Sequence, residues 1–234
     1  MTINEFIESL KDLNIEITKD QLNRLELYYE ILVEWNNKIN LTGITEHDEV
    51  YLKHFYDSLT ICRDINLNEI DSLADIGTGA GFPGMVIKIL FPNLKVDLID
   101  SLGKRIIFLN EVVNKLNLKN INIINTRAEE YALKVRENYD VVTARAVAPL
   151  NILLEYCVPL VKINGYFIPL KANCEDEINS IKNAINLLNC QIEKIDKFNL
   201  QKENSIRTII KFKKTKMTSN KYPRRYNEIK KKPL

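Results

Sequence analysis

The stretch "LADIGTGAGFPGMVIKILFPNLKVDLID", residues 73–100, sets four glycines between two apolar runs and closes on an acid. The run before the glycines and "KVDLID" after them are short and apolar, which reads as strand, while "GMVIKILF" between them reads as helix. Gly77, Gly79, Gly81 and Gly84 therefore sit in a strand-to-helix turn, where glycine lets the backbone bend sharply and approach a ligand with no Cβ in the way. A phosphate-gripping loop needs Gly-Lys-Ser/Thr at the start of the helix, and this sequence has "GFPGMV" there. A G-x-G-x-x-G dinucleotide turn fits no better, because the third glycine comes one residue early at Gly81 or two late at Gly84.

The acids around the turn point to a different ligand. Asp75 ends the first strand, where a carboxylate can accept hydrogen bonds near an amino-acid group. Asp100 ends the second strand twenty-five positions later, where it can accept the hydroxyls of a ribose. Together these elements suit S-adenosylmethionine. After the third strand, "NTRAEEY" presents Ala128 and Glu129 in position for an adenine face, although a small residue and an acid at a helix start also serve as ordinary capping.

Outward from this unit, "INIIN", "YDVVTA", "YFIPLK" and "RTIIKFK" continue an alternation of short β-rich runs with helical stretches. Such alternation implies right-handed βαβ crossovers and a parallel sheet covered on both faces. "KIDKFNL" and "RTIIKFKK" have no long helix between them and read as a closing antiparallel pair. The expected fold is α/β: a Rossmann-like class I methyltransferase with a seven-stranded, mostly parallel sheet and an N-terminal helical extension. Helix starts are expected at Thr2, Thr18 and Thr45, each a hydroxyl placed three residues before an acid or amide. From Leu22 the positions Leu25, Tyr29, Leu32, Val33 and Trp35 form one apolar stripe, and Gly43 is expected to end that helix. The expected division is 1–68 helical extension, 69–215 methyltransferase domain and 216–234 basic tail.

The 234 residues carry a net charge of only +2, but the charge is divided. Residues 197–234 hold thirteen Lys/Arg against two Glu, so this end is +11 and the remainder −9. A basic end on an acidic body suits contact with nucleic-acid phosphates, and a solvated tail gives the same count. The closing "KMTSNKYPRRYNEIKKKPL" is expected to be loosely ordered unless something pins it. Cys62, Cys157, Cys174 and Cys190 lie far apart with only His47 and His54 to join them, so no metal site is expected. No run of eighteen apolar residues and no signal peptide is evident, so a cytoplasmic protein without membrane contact is expected.

For the methyl acceptor, the sequence after the fourth strand reads "YDVVTARAVAPL" and lacks the (Asp/Asn)-Pro-Pro-(Tyr/Phe) loop that exocyclic amines meet. Cys157 lies in "LLEYCVPLV", which reads as a buried helix rather than as a nucleophile for pyrimidine carbons. Arg145 stands at the carboxyl edge of the sheet, where it could grip the cofactor carboxylate, an RNA phosphate or a guanine edge. A guanine imidazole nitrogen has a free lone pair at neutral pH, so its methylation needs no general base. His54, Trp35, Tyr28 and Tyr29 read as packing residues. Two other classes stay open: a small-molecule or protein methyltransferase sharing the cofactor half, and a non-enzymatic RNA-associated factor that retains a nucleoside fold.

"WNNKINLTGI", "HFYDSL", "LADIGTGAGFPGMVI", "DSLGKR", "RAEEY", "TARAVAPL", "GYFIPLK" and "YPRR" together resemble the glucose-inhibited division protein B family over nearly the whole chain. These are the bacterial 7-methylguanosine methyltransferases of small-subunit ribosomal RNA. One departure is "NGYF" at Asn164 and Gly165, where the family often has paired glycines. The resemblance implies transfer from S-adenosylmethionine to the 7-nitrogen of a guanosine in the decoding-region loop of 16S ribosomal RNA. It implies cofactor contacts from Gly77, Phe82, Ala128, Glu129 and Arg145, with the second-strand acid on Asp100; Asp75, Gly79 and Ser101 complete the expected cofactor set, and Arg145 is the expected catalytic residue. Lys171, Arg224 and Arg225 would meet RNA, and Asn40, Thr42, His54 and Asp57 would lie near the mouth of the cleft. The expected partner is 16S RNA, an assembly intermediate or the small subunit, met by a monomer.

Overall fold

The structure is a computed structural model that describes residues 1–203 and 205–234. Seven strands form one sheet: β1 (Ser72–Ile76), β2 (Lys95–Asp100), β3 (Ile121–Asn125), β4 (Tyr139–Arg145), β5 (Val161–Lys171), β6 (Cys190–Asn199) and β7 (Ile206–Lys214). Their order is β3-β2-β1-β4-β5-β7-β6. Pairings from β3 through β5 are parallel, with Asp75 opposite Leu98 on one side and Thr143 on the other. β7 runs antiparallel to both β5 and β6, so the closing pair expected from the sequence is present. Every residue of β1 is buried, as a central strand covered on both faces requires. The order reverses between β1 and β4, and the carboxyl ends of strands at such a switch point leave a crevice for ligands.

Helices α1 (Ile3–Lys11), α2 (Lys19–Asn36), α3 (His47–Val50), α4 (Asp57–Leu59), α5 (Gly84–Leu90) and α6 (Gly103–Lys115) lie on one side. Their apolar residues, from Phe6, Leu25 and Tyr28 to Phe108 and Leu109, join one buried cluster with β1 and β2. A second cluster covers the other face with α7 (Ala128–Lys134), α8 (Leu150–Cys157), α10 (Lys182–Leu188) and α11 (Tyr226–Lys231). The short α9 (Glu175–Ser180) follows β5. Cys157 is fully buried in that second cluster.

Thr2 and Thr18 cap α1 and α2 through reciprocal bonds with Glu5 and Gln21, as their spacing predicts. Two expectations about this region need correcting. Thr45 caps nothing: α3 starts after Glu46 without a side-chain cap, and the Thr45 carbonyl instead accepts the Tyr29 hydroxyl at 3.1 Å. α2 ends at Asn36 rather than Gly43, because Asn36 Oδ1 accepts the N–H groups of Leu41 and Thr42 and turns the chain away. Between α3 and α4 the chain winds as a π-helix over Tyr51–Tyr56, which brings His54 and then Asp57 toward the carboxyl end of β4. Among the described residues, no helix is long and apolar enough to cross a membrane.

Candidate active site

The glycine turn is held from three sides. Tyr28 on α2 donates its hydroxyl to the Ala80 carbonyl, and a Cβ on Gly81, whose φ is +100°, would stand 2.6 Å from that hydroxyl oxygen. Gly77 has φ +68°, and a Cβ there would come within 2.6 Å of the Val147 side chain. Asp75 braces the inside: its Oδ2 accepts Thr78 Oγ1 at 2.6 Å and the Gly84 N–H at 2.8 Å. Asp75 is completely buried, and its Oδ1 has no partner among the described residues. Burial pushes its carboxyl up to about 6, against the pull of those two hydrogen bonds. The residue expected to meet an amino-acid group thus braces the turn through one oxygen and does not line the cavity above it.

That cavity, about 460 Å³, opens at the carboxyl ends of the strands. Gly77, Asp100, Ser101, Ala128 and Glu129 all line it, so five of the expected cofactor residues converge. Asp100 is 4% exposed; its Oδ2 accepts the Gly79 N–H at 3.0 Å and Arg105 Nη1 at 3.1 Å, and its Oδ1 accepts the Leu102 N–H at 2.9 Å. Gly79 therefore contributes by tying the turn to β2 and does not itself line the cavity. Glu129 accepts Arg127 Nε at 2.6 Å. Ile76, Ile99 and Ile152 supply apolar wall. Two carboxylates beside small residues and an apolar wall fit a nucleoside, which needs acceptors for its sugar hydroxyls and a slot for its base.

Arg145 and Phe82 stand elsewhere. A second cavity of about 440 Å³ adjoins the first, and the two share Ala146 as a wall. Arg145 lines this second space, its Nη1 donating to Asp57 Oδ2 at 2.6 Å and to the Lys53 carbonyl at 3.0 Å. Asp57 also accepts Arg207 Nε at 2.7 Å through Oδ1, so one buried carboxylate fixes two guanidinium groups. Phe82 lies beneath, stacked on His54 at 4.4 Å with the Arg145 cation 5.2 Å from its ring centre. His54 bonds Thr42 Oγ1 at 2.8 Å, and burial with the neighbouring Arg145 charge pushes its imidazole down to about 4. Lys171 lines this cavity too, donating to the Ala148 carbonyl at 3.1 Å and pairing with Glu177 at 3.0 Å. Asn40 lines neither cavity.

The basic end is pinned. Arg136 donates to the carbonyls of Thr218 and Tyr222 at 2.8 and 2.7 Å. Arg224 grips the fully buried Glu155 with Nε at 2.8 Å, Nη2 at 2.6 Å and its own backbone N–H at 2.7 Å. The condition under which this segment is expected to be ordered is therefore met: something pins it, and the Arg224 charge is matched by Glu155 inside the fold. Arg225 is exposed and has no ion pair among the described residues. The pinned segment carries α11 onto the first cavity, which Tyr226 and Lys230 help to line, with Arg127 stacked 3.8 Å from the Tyr226 ring. Sequence reading missed Tyr226, Lys230, Arg105 and Tyr156; the four-residue spacing of Tyr226 and Lys230 is the one signal that they share a helix face.

Among the described residues, no group of three His, Cys, Asp or Glu side chains is placed to hold a metal ion. Residues 21–206 match the model of the GidB family, described as rRNA small subunit methyltransferase G. The chain is 48% identical to the ribosomal RNA small subunit methyltransferase G of Bacillus subtilis (strain 168), over all of this chain and 99% of that protein. Its fold is similar to a SAM-dependent methyltransferase from Aquifex aeolicus (TM-score 0.54, 18% identity, covering 77% of this chain and 97% of that one). It is likewise similar to a precorrin-6y C5,15-methyltransferase from Geobacter metallireducens GS-15 (TM-score 0.54, 14% identity, covering 76% and 92%). With the glycine turn, the switch-point cavity and this identity over its full length in place, the chain belongs to the rRNA small subunit methyltransferase G family.

Proposed function

We propose that this chain methylates the 7-nitrogen of a guanosine in the decoding-region loop of 16S ribosomal RNA, with S-adenosylmethionine as methyl donor. The observation that carries this reading is the pair of adjoining cavities, one lined by Asp100 and Glu129 and the other by arginines, with Ala146 as their common wall. When bound, the cofactor supplies a methyl group activated by its sulfonium charge. Gly77, Asp100, Ser101, Ala128 and Glu129 hold it, and Gly79 and Asp75 keep the turn in shape. The ring nitrogen carries its own lone pair and loses no proton, so the chain has to position the base rather than ionise it. Arg145, locked by Asp57, orients the acceptor, and the His54 imidazole stays neutral beside it.

In this reading, residues 69–215 carry the chemistry, 1–68 frame the acceptor side, and the exposed cations of 216–234, Arg225 among them, meet RNA phosphates. Lys171 belongs to the acceptor cavity. The chain acts as a cytoplasmic monomer on 16S RNA, an assembly intermediate or the small subunit. Transfer of label from methyl-tritiated S-adenosylmethionine, followed by cleavage mapping at 7-methylguanosine, tests this. Label should enter one guanosine of 16S RNA, and Asp100→Ala should weaken cofactor binding about tenfold or more. Label found only in protein or in a small molecule would refute it.

A further inference from the structure

The second cavity contains an acceptor that nothing described so far uses. Its cations are Arg145, Arg207 and Lys171, and its acids are Asp57 and Glu177. Both Asp57 oxygens are taken by the two arginines. Glu177, on α9, gives only one oxygen to the fold: Oε2 accepts the Leu150 N–H at 2.6 Å and forms an ion pair with Lys171 Nζ at 3.0 Å. Its Oε1 accepts no bond among the described residues, and the side chain remains 31% exposed. Glu177 thus brings one carboxylate oxygen without a partner among the described residues to a cavity whose other carboxylate, Asp57, is already taken by the two arginines.

A purine placed there with N7 toward Ala146 and the first cavity can turn its next edge atom, at position 6, to Arg145, which lines the same cavity. Guanine offers a carbonyl oxygen at that position, which guanidinium donors satisfy; adenine offers an amine, which they oppose. The remaining edge of guanine, N1–H and the 2-amine, consists only of donors and requires an acceptor. Asn173 also lines the cavity, but its amide carries both a donor and an acceptor and so selects neither base.

We propose that the cavity between β4 and α9 is a guanine-reading pocket in which Glu177 is the specificity residue, its free oxygen accepting from the N1–H and 2-amine edge. This rests on the reading of the chain as a guanosine methyltransferase and adds the group that selects the base. Methyl transfer breaks the carbon–sulfur bond, leaves its electron pair on sulfur and forms the N7–carbon bond, so the positive charge passes to the purine. The Glu177 carboxylate also faces that developing charge.

Glu177→Gln turns acceptor into donor with little change of shape. Its carbonyl can stay on the Leu150 N–H, leaving the amide NH2 where Oε1 stood. Equilibrium dialysis of the full chain, saturated with S-adenosylhomocysteine, against GMP, IMP and AMP measures the consequence. The wild type should bind GMP about tenfold or more tighter than IMP, which lacks the 2-amine, and tighter than AMP. Glu177→Gln should bring GMP and IMP together and improve AMP, with affinity for S-adenosylhomocysteine unchanged. A purely structural Glu177 would weaken all three nucleotides alike, and that result, or a variant that keeps the wild-type GMP/IMP ratio, overturns the proposal. Failure to methylate 16S RNA would refute the guanosine reading separately, because the dialysis contains no methyl donor.

Discussion

Arg224→Ala separates two uses of the basic end. The arginine holds a carboxylate that has no exposure, and among the described residues its loss leaves Glu155 Oε2 without a donor and Oε1 with the backbone N–H alone. Removing one partner of a buried ion pair costs about 3–5 kcal/mol, because the other charge stays buried and uncompensated. For a chain of this size each kcal/mol is worth about 2–4 °C, so melting should fall by about 10 °C. Release of the segment from Thr218 onward would let water reach Glu155 and lessen that drop, but it would also lift Tyr226 and Lys230 from the wall of the first cavity. Where the segment is released, affinity for S-adenosylmethionine should therefore fall. Calorimetric titration with the cofactor, thermal melting, and the salt dependence of RNA binding are measured on the same preparation. Arg225→Ala, one residue on and exposed, is the control: it should leave melting and cofactor affinity alone and lower the salt slope of RNA binding by about one. If Arg224→Ala behaves like Arg225→Ala in all three measurements, the pinning role is wrong and Arg224 is a phosphate contact.

Two further outcomes follow from the glycine turn. Gly77→Ala forces a side chain into the left-handed region at about 1–2 kcal/mol and drives Val147 toward the cavity that both residues line, so cofactor affinity should fall; calorimetry that shows none of this would place the cofactor elsewhere. Asp75 makes stability depend on acid. Its folded value of about 6 lies above the ordinary carboxylate range, so the folded state binds more protons between about pH 4 and 6, and stability falls as pH rises through that window. The whole effect is worth about 3 kcal/mol. Asp75→Asn keeps an acceptor for Thr78 and Gly84, so its stability relative to wild type should rise between pH 4 and 6 and level off above. Urea unfolding at pH 4, 5, 6 and 7 reads the difference, and one that shrinks with pH would contradict the buried carboxyl.

What the sequence determined by itself is whatever depends on neighbours along the chain. Strand and helix periodicity, the Thr2 and Thr18 caps and the glycines of the 77–84 turn are local, and they fixed the sheet, its antiparallel end and the positions of Gly77, Asp100, Ala128 and Glu129. Asp75 shows the limit even there, since its place at a strand end said nothing of which way the carboxylate faces. The tertiary structure alone decided where the long cations go. Arg145 and Asp57 are 88 positions apart, and Arg224 and Glu155 are 69 apart. Their pairing depends on which buried carboxylate the fold brings within reach, and no spacing in the sequence encodes it. The same holds for the two cavities: Ala146 is their common wall only because β4 ends where the helices of residues 47–59 and the pinned C-terminal segment approach it from opposite sides of the sheet.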